Sequence, residues 1–296
     1  MTDDLPGVLT MTQRRWRRLI LLAVTVFCGT YGLLVRTAAG QRLENAALRG
    51  ADQVVWVQDA ANDVLNLITV RSLAGAVLIL ASIGLMRRRP RLSLAAVGLV
   101  GMSLGLTEVF KRVLLPRPPL AVAPDVYMHN SFPSGHTTIA MSVLLALVLV
   151  SRSRFRGSIM LLCMLYALGV GSWTLIAKWH RFSDTVGADA VALGVACAAS
   201  LWLSRRDLVQ PADTTELWPR QVLVTLLVLV LLFLVGASLL LLENAGTDLP
   251  AGQARDFRIF LAVTALSGAC SIGTALLFWW TWFRLDVTPR LPERSR

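Results

Sequence analysis

Long apolar runs alternate with short polar segments along the chain, and the runs have the length that about 30 Å of hydrocarbon requires of a helix. Six stand out: Leu19 to Val35, Leu92 to Phe110, Ser158 to Ala177, Thr185 to Leu203, Val222 to Leu242 and Ile259 to Phe283. Two are weaker. Leu65 to Met86 carries Arg71 near one end, where the long side chain can snorkel to the interface, and Thr137 to Val150 is short but extends upstream through a Ser134 motif. The pattern predicts an all-α polytopic membrane helix bundle of eight spans, six forming a core and two appended at the C-terminal side. The polar loop Asp207 to Arg220 divides the chain into a core over residues 1–206 and a second unit over 207–296: a cytoplasmic loop, two transmembrane helices and a basic tail. Thr37 to Asp63, with Val54, Val55, Trp56 and Val57 among charged residues, reads as an outer loop with an interfacial amphipathic piece.

Composition agrees with helices packed in lipid. The 296 residues are 55% hydrophobic and 16% charged, with mean hydropathy +0.62. The net charge of +11 does not indicate nucleic acid, because the basic residues cluster at the ends of apolar runs rather than on one soluble face. Arg14 to Arg18, Arg87 to Arg91, Arg152 to Arg156, Arg205-Arg206 and Arg284 to Arg296 fall on alternate loops. Basic residues favour cytoplasmic loops, so both termini are expected in the cytoplasm, and Lys111, Arg117, His136 and His180 outside. The first run is longer than a usual signal core and is followed by Arg36, which predicts an uncleaved anchor. Cys28, Cys163, Cys197 and Cys270 lie inside apolar runs without metal-ligand spacing and read as small buried hydrophobes.

Candidate chemistry sits at the mouths of the runs. Phosphoryl transfer needs cations for the equatorial oxygens, a nucleophile, and an acid for the leaving oxygen. Ser134 is an N-cap residue type at the start of an apolar helix, so the N–H groups of Gly135, His136 and Thr137 would form an anion site at the positive end of the helix dipole. His136 on that first turn suits proton transfer. His180 and Asp184 are four apart, which lets the carboxylate fix one ring nitrogen and leaves the other free to attack phosphorus. Lys111 and Arg117 flank a turn stiffened by Pro116, Pro118 and Pro119. The remaining histidine, His129, has no companion and reads as a surface or supporting residue.

Pro133-Ser134-Gly135-His136 and His180-x3-Asp184, with Lys111 and Arg117-Pro118 before them, resemble the motifs of the type 2 phosphatidic acid phosphatase and vanadium haloperoxidase superfamily. That pattern runs Lys-x6-Arg-Pro, Pro-Ser-Gly-His, Ser-Arg-x5-His-x3-Asp. One fixed tetrapeptide arises by chance in about one in several hundred chains of this length, and order and spacing reduce that further. The likeness covers Leu65 to Leu203. It implies His180 as a nucleophile forming a phosphohistidine, Asp184 as its orienting partner, His136 as the acid, and Lys111, Arg117, Ser134 and Gly135 as phosphate ligands. It implies no metal or other cofactor, and vanadate as a mimic of the pentacoordinate state.

Two departures stand out. The interval from Lys111 to Arg117 is one residue shorter than the pattern, and the motif Ser-Arg positions hold Trp173 and Thr174. Lys178, one turn after Thr174, or Arg181 beside His180, is expected to supply the missing charge. Lys111 and Lys178 are the chain's only lysines.

The expected function is hydrolysis of a lipid phosphate or diphosphate (a polyprenyl diphosphate, phosphatidate or phosphatidylglycerol phosphate) from the outer face of a bacterial inner membrane. The expected partners are that lipid and the bilayer, without nucleic acid. A lipid phosphotransferase using the same residues is the nearer alternative. A catalytically silent transporter or scaffold is the more distant one, favoured by Arg71, Glu108 and Asp189 in or near the membrane and by the missing arginine.

Overall fold

A computed structural model describes residues 5–122, 129–212, 218–247 and 252–287. In chain order the elements are α1 (Leu5–Thr30, prolonged by a π turn Tyr31–Val35), α2 (Ala38–Gly50), α3 (Val55–Asn66), α4 (Val70–Met86), α5 (Pro90–Val109, prolonged by a π turn Phe110–Leu114), α6 (Gly135–Val150), α7 (Arg156–Ile176), α8 (Phe182–Ser204), β1 (Val209–Pro211), α9 (Trp218–Thr247), α10 (Gln253–Thr281) and β2 (Leu285–Val287). The protein is an all-α membrane bundle.

Six of these helices, α1, α5, α7, α8, α9 and α10, are long and apolar enough to cross a membrane by themselves. The two weaker runs behave differently. Leu65 belongs to α3, and the apolar helix begins only at Val70 because Thr69 and Ser72 form a reciprocal capping box. α4 therefore reaches spanning length only together with the α2–α3 segment, across a bend of 54°. α6 has 16 residues, about 24 Å at the α-helical rise, because Ser134 caps it and residues 129–133 before it are not helical.

α8 is the central helix: 72% of its apolar window is buried, against 11% for α9. It packs on α1, α5, α6 and α10, and its small residues Ala188, Ala192 and Ala196 are fully buried. Helix α10 and the turn after it are tied to α8 by polar side-chain contacts: Ser267 to Thr185 (2.8 Å), Ser271 to Asp189 (2.9 Å) and Trp282 to Ser200 (3.0 Å).

The described arginine-rich segments converge at one end of the bundle. Arg87 donates to the Val150 carbonyl (2.6 Å) and to Asp286 (2.8 Å). Arg156 is 2% exposed and donates to the carbonyls of Val148, Ser151, Trp282 and Leu285 at 2.8, 3.1, 3.0 and 2.9 Å. β1 pairs antiparallel with β2 beside them. The rest of the basic tail, beyond Val287, lies outside the described residues. α2 and α3 run over the opposite end, where Gly50 meets α10 so closely that a Cβ would lie 2.1 Å from the Asp256 carbonyl oxygen.

Candidate active site

The candidate residues gather at the α2–α3 end, where α6 and α8 begin side by side. Gly187 brings them together: a Cβ there would fall 2.6 Å from the Phe132 ring, so only glycine lets Phe132-Pro133 seat against α8. Ser134 then donates its N–H to the Asp184 carbonyl (2.9 Å), and its hydroxyl caps α6 by accepting from the Thr137 N–H (3.2 Å). Gly135 opens the helix, and a Cβ on it would lie 3.8 Å from Lys111 Nζ. The ammonium and the positive end of α6 thus share one small region.

His180 lies just before α8, four residues from Asp184, with its Nδ1 3.3 Å from Asp184 Oδ2. The same oxygen accepts the Arg181 N–H (2.8 Å), as an acidic residue at the third helical position does in a capping box. Asp184 Oδ1 accepts from Arg117 Nη2 (3.2 Å). With both oxygens held, the carboxylate fixes the orientation of the His180 ring through Nδ1. The His136 ring centroid is 6.1 Å from that of His180 and 5.2 Å from that of Trp179, which meets it edge to face.

His180 lines a cavity of about 600 Å³ together with Lys111, Lys178, Trp179, Gln58, His129, Asn130, Ser131 and Ala177. Both lysines of the chain face the same space. Burial lowers the Lys178 pKa. Lys178 also pairs with Asp52 in the turn between α2 and α3 and adopts φ 58° at the end of α7, a left-handed helix stop that usually falls to glycine. Arg88, Asp207 and Arg284 do the same at other helix ends, so placement in the cavity, rather than backbone conformation, distinguishes Lys178.

The other candidate cations lie outside the cavity lining. Arg181 is buried and reaches Ser131 (3.4 Å); burial lowers its pKa, and neighbouring Arg117 adds to the effect. Arg117 has a side chain 4% exposed. Burial pulls its pKa down, and Asp184 and Glu44 more than reverse this. Its Nη1 donates to Glu44 Oε2 (3.0 Å) and Nη2 to Ser183 Oγ (3.2 Å), while Nε is buried without a hydrogen-bond partner.

Thr174, at the position the superfamily pattern fills with arginine, is fully buried in α7. Its carbonyl accepts the N–H groups of Trp179 (3.0 Å) and His180 (3.2 Å). Position 174 therefore fixes the turn into His180 through the backbone, whatever its side chain.

Glu44 was not legible as a site residue. It is 2% exposed, and besides binding Arg117 it accepts the Ser183 N–H at 2.8 Å. One signal was available: Gln41, Glu44, Asn45 and Leu48 are spaced as one helical face, and that face is buried. From the same face Gln41 straps the proline-rich turn, donating to the Pro118 carbonyl (2.6 Å) and accepting from the N–H groups of Leu120 and Ala121. Asn130 likewise ties Lys111 and Leu115 through their carbonyls, at 2.8 and 2.7 Å. No group of three His, Cys, Asp or Glu among the described residues has metal-holding geometry.

Residues 67–210 match the family model described as the PAP2 superfamily. No curated protein and no solved structure matches the chain.

Proposed function

We propose, since residues 67–210 match the PAP2 superfamily, that the chain hydrolyses a lipid phosphate or diphosphate by way of a phosphohistidine at His180. The family match and the apolar helices support a membrane phosphatase in general; the lipid, the route and the residue roles are the proposal. One observation carries it: the His180–Asp184 pair opens on a cavity lined by Lys111 and Lys178 at the start of α6.

In this reading His180 Nε2 attacks phosphorus in line with the bond to the lipid oxygen. The P–O bond breaks, and His136 gives its proton to the departing oxygen. Water, deprotonated by His136, then cleaves the P–N bond and releases phosphate. Lys111, Lys178 and the N–H groups at the start of α6 stabilise the equatorial oxygens. Arg117, with both carboxylates on its guanidinium, directs three of its five N–H donors to Glu44, Ser183 and Asp184 and acts chiefly by holding Asp184. The apolar surroundings favour a substrate whose tail stays in the bilayer, with polyprenyl diphosphate, phosphatidate and phosphatidylglycerol phosphate as the candidates. Because the arginine-rich segments converge at the opposite end, the positive-inside bias supports a site facing outward and termini in the cytoplasm.

The test is phosphate release by the purified chain from a panel of those three lipids, beside His180→Ala. Release by the native chain and none by the variant supports the reading; an equal background from both sinks it. Thr174 in place of an arginine favours one rival, a fold kept without chemistry, and that rival predicts the equal background. Lys178→Ala and Arg181→Ala test which cation replaces the arginine. Native activity in both would end the idea that either does.

A further inference from the structure

At the histidine end, α2 and the start of α10 enclose a second cavity of about 730 Å³ that shares no lining residue with the first. Arg42 and Arg49 from α2 and Arg255 from α10 line it, and Asp256 is the only carboxylate among its described lining residues. Arg49 uses Nε and Nη2 to hold Asp256, at 2.7 and 3.3 Å, so among the described lining residues one positive charge cancels the one negative charge and two arginines remain in excess. Arg42 bonds only weakly to its own helix, at the Ala38 carbonyl (3.3 Å). Arg255 Nε is buried without a hydrogen-bond partner.

These arginines stand apart from the bias that gathers the arginine-rich segments at the other end of the bundle, and the proposed chemistry uses none of them. Guanidinium groups converging from two helices suit the oxygens of a phosphate group. Leu43, Ala46, Val122 and Ile259 add apolar wall beside the polar Asn45, and a free anion has no use for that apolar surface. An amphiphile with a phosphate head and a hydrocarbon chain satisfies both halves.

We propose that this cavity binds the phosphate headgroup of an anionic bilayer lipid, separately from the histidine site. It would anchor α2 to α10 through the lipid and so steady the helix that carries Glu44. The inference does not depend on the phosphatase reading.

Titration of the purified full-length chain in neutral detergent, followed by native mass spectrometry and by the thermal unfolding midpoint, tests it. Short-chain phosphatidylglycerol should bind and raise the midpoint, whereas phosphatidylcholine of the same chain length should not. Arg42→Gln/Arg255→Gln should weaken phosphatidylglycerol binding by about tenfold or more, and Arg42→Lys/Arg255→Lys should retain most of it. Lys111→Ala, in the other cavity, should leave it unchanged. If the double glutamine variant does not fold, Arg42→Gln alone, at an exposed position, should still weaken binding. Equal binding of the two lipids, or native-like binding by a folded glutamine variant, overturns the proposal. An equal midpoint shift from inorganic phosphate would assign the cavity to the free anion and overturn the lipid reading.

Discussion

Arg156 at the basic end and Arg117 at the histidine end are both buried, yet they are satisfied in opposite ways. Arg156 spends its guanidinium on four backbone carbonyls where α6 and α10 end, with Asp286 farther off at 3.8 Å. Neutral acceptors at helix C-termini suit a cation and lock the architecture. Arg117 instead lies between two buried carboxylates, Glu44 and Asp184, each of which would be costly without it. One arginine closes helix ends; the other fixes the direction of a carboxylate that faces a histidine. Burial and residue type are the same, so the acceptor set distinguishes the structural role from the one proposed for chemistry.

Substitutions separate the two ends. The largest expected effect is that of His180→Ala, which should lower phosphate release by about a thousandfold or more with little change in the thermal unfolding midpoint. Arg156→Ala should do the reverse: a loss of about 3–5 kcal/mol of stability, read from unfolding in detergent, with activity per folded molecule close to native. A large activity loss in folded Arg156→Ala would erase the contrast between the ends.

Glu44 tests the histidine end from within. Glu44→Ala should reduce kcat about a hundredfold, as a misplaced catalytic group does, with a smaller change in KM. Glu44→Gln keeps an acceptor for the Ser183 N–H and should recover about tenfold of that loss. An equal loss in both variants would make the negative charge of Glu44, rather than its hydrogen-bond acceptor, the point of the contact. The smallest effect is expected at Lys178. Lys178→Gly should relieve the left-handed backbone and stabilise the fold by about 1 kcal/mol, yet raise KM several-fold; an unchanged KM would remove Lys178 from phosphate binding.

The local part of this arrangement was legible in the chain. Ser134 before an apolar helix, and a carboxylate four residues after His180, are short-range patterns, and short-range geometry follows from helical spacing. The apolar runs gave the helices for the same reason. The break before Val70 was harder to read, because Thr69 and Ser72 cap a helix inside what looks like one continuous run.

What stayed hidden involves partners far apart in sequence. Glu44 and Arg117 are separated by 73 positions, and the spacing of Gln41, Glu44, Asn45 and Leu48 marks a shared face of α2 without naming the proline-rich turn it meets. The same holds for the lysines. Their rarity was visible, but only the packing of α5 against α6 and the stop of α7 before α8 turns both toward one cavity. The sequence by itself determined an apolar helical bundle, the side-by-side pairing within each short motif, and the likeness to the PAP2 superfamily over residues 67–210, because these depend on hydrophobic length and on residues a turn or two apart. Tertiary structure alone decided which cation meets which carboxylate, since that choice depends on how α2, α6 and α8 converge and on which charges burial forces into pairs.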